Sequence, residues 1–207
     1  MPPELREAAG FGHSGMERNA KILTEASNAQ RLLDTALDAL TGDDWASTLD
    51  GLPAPVYLTD AEGNVTYWNR ACIDFAGREP ELGRDRWCVT WRIYTTVGDF
   101  LPHDSCPMAV AIKEQRAIRG KVAIAERPDG SRRAFTPYPT PLFDADGKLT
   151  GAVNMLIDVT AEQGGELRSQ AERCRRLAKS VNDNMANRVL SDMAQAYEQT
   201  AETLARP

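Results

Sequence analysis

Hydrophobic positions recur at helical spacing near the start of the chain. Ile22, Ala26, Ala29, Leu33, Ala36 and Leu40 succeed one another at three- and four-residue steps. That period predicts one helix over Glu17–Leu40 with a single apolar face. Thr41-Gly42-Asp43-Asp44 ends it and caps a short second turn through Trp45 and Leu49. Leu52-Pro53-Ala54-Pro55 forces an extended entry into the next segment. The period then changes to two. Val56–Thr59 and Val65–Trp68 read as strands joined by Ala61-Glu62-Gly63-Asn64, a turn in which Gly63 and Asn64 tolerate positive φ. Strict alternation puts Val65 and Tyr67 on one face of the second strand, and Thr66 and Trp68 on the other. Two aromatics on opposite faces cannot line one pocket, so one of them is expected to meet the flanking helix. Asn69 is a fitting N-cap for a helix through Phe75, which Gly77 closes.

Arg78–Pro102 carries Gly83, Gly98 and two tryptophans, and reads as short helices and loop. Asp104-Ser105 is expected to cap a helix with Pro107 in its first turn and Met108, Ala111 and Ile112 on its buried face. Three strands come next: Arg119–Arg127, Arg132–Leu142 and Thr150–Ile157. Pro128-Asp129-Gly130-Ser131 and Asp144-Ala145-Asp146-Gly147 supply the turns between them. Pro137, Pro139 and Pro141 remove ladder donors, so part of the middle strand must be an edge or irregular. The last forty residues return to helical period. Leu167, Ala171, Cys174, Leu177/Ala178 and Val181 line one helix, and Asn182-Asp183-Asn184 breaks it. Ala186, Leu190, Met193, Tyr197, Ala201 and Leu204 line a second. The pair reads as a helical hairpin whose narrow apolar seams need covering, by the N-terminal helix and by a second copy of the chain.

Composition narrows the classes. With 207 residues and 42% hydrophobic content the chain can build one domain with helical extensions. A net charge of −6 argues against a nucleic-acid partner, which needs a concentrated basic surface. The one basic cluster, Arg173, Arg175, Arg176 and Lys179, reads as the solvated face of a helix. No apolar run is long enough to span a membrane, and Met1–Gly15 lacks the apolar core of a signal peptide. Cys72, Cys88, Cys106 and Cys174 have neither paired nor metal-type spacing, so they read as reduced thiols in a cytoplasmic protein. The expected layout is a disordered leader over 1–15, a flanking helix within 16–48, a domain over 49–160 and the hairpin over 161–207.

Four ordered segments carry a resemblance: Thr59-Asp60-x-x-Gly63-Asn64-x-x-Tyr67-Trp68-Asn69, Arg127-Pro128-Asp129-Gly130-Ser131, Pro141-Leu142 before Asp146-Gly147, and Asp158-Val159-Thr160. Each is weak alone, but in this order and spacing, from about Leu49 to Thr160, they resemble a PAS domain. Pro102–Ala109 is similar to a version found in bacterial sensor PAS domains. The tail from Ala171 through Glu198 looks like a helical segment common in alphaproteobacterial proteins, and no activity follows from that. The resemblance implies an α+β fold: a five-stranded antiparallel sheet with helices on one side, flanked by an N-terminal helix and a C-terminal helical hairpin. It implies a bacterial signalling module that senses, contacts a kinase or regulator and pairs as a homodimer. It also implies that Asp158 and Thr160 couple the last strand to the outgoing helix, where Thr160 can cap that helix and Asp158 can bond backbone or an arginine.

Catalysis is not expected. The only histidines are His13 and His103, so no phospho-acceptor lies on the C-terminal helices, and neither a phosphate-binding loop nor a paired-histidine motif is present. Flavin photochemistry is rejected, because Asp85-Arg86-Trp87-Cys88-Val89 lacks the asparagine before the cysteine and the Arg-Phe-Leu-Gln after it. Haem would need His103 as axial ligand, against the plainer reading of a histidine at a helix start paired with a carboxylate. Cys106 at a helix N-terminus could be a redox thiol or simply a small buried side chain. A ligand between the sheet and the helices over Asn69–Ala76 and Asp104–Gln115 would find Asn154, Tyr138, His103 and Cys106. Asn154 is the most telling, since it interrupts the apolar run Ala152–Ile157 on the face shared with Ala152 and Leu156. The ligand stays unnamed, and a constitutive scaffold with a ligand-free core is the alternative.

Overall fold

The structure, a computed structural model, describes residues 27–205. The expected leader and the first residues of the N-terminal helix lie outside the described residues. Helix α1 covers 27–39 and α2 covers Trp45–Asp50. Strands β1 (Val56–Asp60) and β2 (Val65–Trp68) form a hairpin closed at Gly63, φ 88°, where Asp60 Oδ1 accepts from the Asn64 amide at 2.8 Å. Helix α3 (Arg70–Ala76) begins at Asn69, whose side chain accepts from the Cys72 amide. It ends at Gly77 in the left-handed region. The same Asn69 amide accepts from Val56 N and donates to Leu49 O and Ala54 O, so one buried side chain ties α2, β1 and α3 together.

The middle stretch holds β3 (Arg92–Tyr94) and a 3-10 turn over His103–Ser105 before α4 (Pro107–Glu114). The expected Asp104-Ser105 cap is not made. Cys106 is the N-cap and makes no side-chain cap bond, and Pro107 follows in the first turn, where its missing amide costs the helix nothing.

The strands β4 (Ala123–Glu126), β5 (Arg132–Pro137), β6 (Thr140–Phe143) and β7 (Leu149–Asp158) complete the sheet. The order is β2-β1-β7-β5-β4-β3, antiparallel throughout, with β6 also paired to β7. β1, β2, β4 and β7 are expected strands, β5 and β6 together make up the expected Arg132–Leu142 strand, and β3 is an addition. The proline-rich strand is split in two. β5 pairs with the C-terminal end of β7 and β6 with its N-terminal half. The break at Tyr138-Pro139 lets the chain move along β7 between them.

Alternation fails in β2. Leu58 faces Tyr67 and Thr59 faces Val65, so Thr66 is an extra residue, a β-bulge. Val65 and Trp68 therefore meet the inner core while Tyr67 turns outward. Tyr67 packs edge-on to Trp45 at 4.9 Å and donates to Asp50 Oδ1 at 2.9 Å. The expectation that Val65 and Tyr67 share a face is thus wrong, for want of that one residue in the count.

The sheet has two covered faces. Inside, Tyr57, Phe75, Val89, Ile93, Met108, Phe135 and Leu156 pack beneath α3 and α4, with Phe75 and Phe135 edge to face at 5.6 Å. Burying side chains of this size is worth ~2 kcal/mol or more apiece before entropy is charged. Outside, α1 and α2 cover β1 and β7 through Leu33, Leu49, Val56, Val153 and Met155. The remaining outer surface, Ile124 and Ala134 on β4 and β5, lies under Leu167, Ala201 and Leu204. Those three belong to α5 (Thr160–Ser180) and α6 (Asn184–Leu204), a hairpin joined at Asp183, whose side chain caps α6 through the Ala186 amide. Among the described residues no helix is long and apolar enough to cross a membrane.

Candidate functional site

Two places gather functional groups: a polar cluster under the sheet and the corner where β7 becomes α5.

The inner cluster is organised by the Trp87 carbonyl. Trp87 adopts φ 70°, and its ring lies so close to Gly63 that a Cβ there would come within 2.2 Å of it. Gly63 is thus required twice, by its turn and by this contact. The Trp87 amide donates to Gly63 O at 2.7 Å, and its carbonyl accepts from Tyr57 OH at 3.0 Å and from the Cys106 thiol at 3.8 Å. Asn154 is 2% exposed and lies on the inner face with Ala152 and Leu156. Its Nδ2 donates to Tyr57 Oη at 2.9 Å, and its Oδ1 accepts from the Tyr138 amide at 3.0 Å. The amide is therefore held at both ends by the protein.

Cys106 and Cys88 are buried beside this chain of bonds. Burial pushes the Cys106 thiol up to about 12, and the Cys88 thiol is raised by the same cause. Cys72 is raised too and donates to Val56 O at 3.3 Å. Desolvation outweighs the pull of the helix N-terminus on Cys106, and burial favours the neutral thiol at all three positions. His103 stands in the 3-10 turn. Its pKa is lowered, first by burial, and its Nε2 is buried with no partner among the described residues. It is not paired with a carboxylate as the plainer reading supposed. Tyr138 is placed otherwise than expected. Only its backbone reaches Asn154, while its ring packs in the outer cluster with α1 and lies 5.4 Å from the Arg119 guanidinium. The break between β5 and β6 turns that side chain outward. Among the described residues no group of three or more acidic, histidine or cysteine side chains is placed to hold a metal.

The corner is built from β5, β7 and α5. Val159 N donates to Ala134 O at 2.9 Å, and Thr160 Oγ1 accepts from Ala134 N at 3.1 Å. Asp158 Oδ1 accepts from the Thr160 amide at 2.9 Å, and Oδ2 pairs with Arg133 at 3.1 Å. Thr160 is thus not the helix cap. It is the first helical residue, tethered to β5, and Asp158 supplies the acceptor for its amide. Beside this corner is a cleft of about 390 Å3 between β5, α5 and the end of α6. A second of about 380 Å3 lies between Trp68 and the exposed side of α3.

Sequence reasoning singled out Asn154, Cys106 and the Asp158–Thr160 pair, and the structure brings the first two to one cluster and the last to the corner. It missed Tyr57 and Trp87 as the partners that hold Asn154 and Cys106. Tyr57 directly precedes the turn-rich Leu58–Asn64 segment, but only the β1–β7 register, which sets Tyr57 opposite Asn154, reveals the contact.

The PAS fold family matches residues 49–164. No curated protein gives a significant match. Solved structures with a similar fold include the LOV domain of the blue-light activated histidine kinase of Erythrobacter litoralis, 22% identical over 52% of this chain and 97% of that one, TM-score 0.41. The Rhodobacter sphaeroides LOV protein is 13% identical over 84% of this chain and 96% of its own, TM-score 0.43. The PAS domain of the fruit-fly ELK potassium channel is 13% identical over 56% of this chain and 95% of its own, TM-score 0.45. With more than half its length matched, and with the curled antiparallel sheet, the helices of its inner face and the packed C-terminal hairpin described above, the chain belongs to the PAS fold family, whose domains are sensory modules.

Proposed function

We propose that this protein is a non-catalytic bacterial signalling protein of the cytoplasm. Its domain over 49–160 relays a signal to the C-terminal hairpin, and the hairpin acts on a second protein such as a kinase or regulator. It works as a homodimer and engages neither nucleic acid nor membrane. The tail is of the alphaproteobacterial type. The observation that carries this reading is the corner. The hairpin meets the sheet through one small apolar patch and a handful of bonds at Asp158, Val159 and Thr160, so a change in β5 or β7 reaches α5 directly. Amide hydrogen exchange tests it. Asp158→Ala removes an acceptor worth ~1 kcal/mol and an exposed ion pair worth little. Exchange over 160–167 is expected to rise about fivefold while β1 and β2 keep theirs. Unchanged exchange at α5 together with unchanged partner binding would sink the relay.

In the ligand-gated form of this reading, Asn154 gives up Tyr57 for a ligand, with His103 and Cys106 beside it. One observation favours the scaffold form instead: Asn154 is bonded at both ends, to Tyr57 and to the Tyr138 amide, so it offers a ligand no free group. Among the described residues the buried side-chain atoms left unpaired are Thr59 Oγ1 and His103 Nε2. Absorbance and mass spectrometry of the natively purified protein separate the two. A bound chromophore or metabolite favours the gated form, and a bare protein the scaffold.

A further inference from the structure

We propose that the cleft at the strand–helix corner binds a small, singly charged organic acid. This rests on the relay reading, because it puts a ligand on the same corner. The cleft holds about 390 Å3, at the small end of the range for ligand sites. Its sheet side is the Arg133–Asp158 pair, its helix side is Arg168 on α5, and its floor is Gly164, Ala201 and Leu204.

The charges select the ligand. Arg133 is matched by Asp158, and the other Asp158 oxygen accepts from Thr160. Among the described residues Arg168 has neither an ion pair nor a hydrogen bond, so one guanidinium is left over at the mouth. A planar guanidinium fits a carboxylate in two parallel bonds. A dianion such as phosphate would bring a second negative charge against Asp158 with nothing to meet it. The floor wants an apolar body. Gly164 is buried and has no side chain, and a Cβ there would meet Arg168 Nη1 at 4.0 Å, an ordinary contact, so this part of the wall is not crowded. A carboxylate on Arg168 with its apolar body over Leu204 and Ala201 touches α5, α6 and the sheet corner together. Such a ligand binds the docked hairpin better than the undocked one and shifts the balance toward docking.

Benzoate titrated into the full chain is the probe, with benzamide as its neutral counterpart and inorganic phosphate as the dianion. Backbone amide shifts and the melting temperature are the readouts. Benzoate is expected to raise Tm and to move the amides of Gly164, Arg168 and Leu204. Benzamide and phosphate should bind at least about tenfold more weakly, and Arg168→Gln should weaken benzoate about tenfold, the loss of one charge-assisted pair. Gly164→Leu fills the floor and should abolish binding even where Arg168 is intact. Arg168 is on the surface, so its variant folds. Absence of benzoate binding, equal binding of benzamide, tighter binding of phosphate, or full affinity in Arg168→Gln overturns the proposal. The two readings fail separately. Arg168-dependent benzoate binding with a silent Asp158→Ala leaves a site without a relay. An active Asp158→Ala without benzoate binding leaves a relay without this ligand.

Discussion

Asn154 shows how a buried polar group can fix a core. Tyr57 Oη stands in the middle of the chain of bonds: it accepts from the Asn154 amide and donates to the Trp87 carbonyl, while Tyr138 N and the Cys106 thiol supply further partners at the two ends. Removing one partner of a bond leaves the other desolvated and unpaired there, whereas removing both and filling the space with apolar atoms is nearly neutral. Tyr57→Phe is therefore expected to cost ~1–3 kcal/mol in urea unfolding, and Asn154→Leu a similar amount. Tyr57→Phe/Asn154→Leu should cost clearly less than the sum, and strict additivity would show that the bonds are not coupled. The thiols make a second prediction at this scale. An unfolded thiol ionises near 9.0, while burial holds the Cys106 proton to about 12. The folded state thus binds the proton more tightly. That stability is fully present below pH 9.0 and is lost as pH rises toward about 12. Urea midpoints measured in steps of pH should fall across that window, and Cys106→Ala should make the fall shallower. An equal slope in the variant would show that Cys106 contributes nothing to it.

Most elements could be read from their punctuation. Asn69, Gly63, Gly77 and the Asp-Gly turns stand where caps and turns need them, because these residues act through their own backbone or a near neighbour's. What escaped depends on partners distant in the chain. The bulge at Thr66 is invisible to a period of two, since only the register against β1 shows the extra residue. The three prolines announced an irregular strand, but where it broke and which strand each half joined were set by β7. Cys106 took the cap because Pro107 fixes the first turn whatever precedes it. The corner residues were legible as a pair and not as a geometry. Thr160 bonds to Ala134, and nothing in the local sequence points to β5. Of the inner cluster, Asn154 stood out as the polar member of an apolar strand, while nothing in the local sequence marks Tyr57 as its partner.

At the scale of the whole molecule the sheet leaves little of either face uncovered, but the hairpin does not bury all of itself. Leu177, Met185, Val189 and Met193 remain 41–78% exposed. They fall on one side. Arg175 reaches across to Glu198 on the other, and Leu177 lies about 200° further round α5. Such an apolar strip on paired helices is suited to a second copy of the same strip, related by a two-fold axis. Val189→Glu is expected to convert a dimer to a monomer in sedimentation without lowering the melting temperature of the domain. A dimer that survives Val189→Glu would place the interface elsewhere, with α1 the next candidate.

The length of α5 gives the corner a further meaning. Twenty-one residues make a rod about 31 Å long, hinged at Thr160. A tilt of ~10° at that hinge swings the far end by ~5 Å, close to one helical pitch. A small displacement at the sheet would therefore carry the tip of the hairpin sideways by several ångströms against whatever it grips. A relay built on this corner would act as a gear, trading a short, firm movement at the strand for a long one at the helix tip.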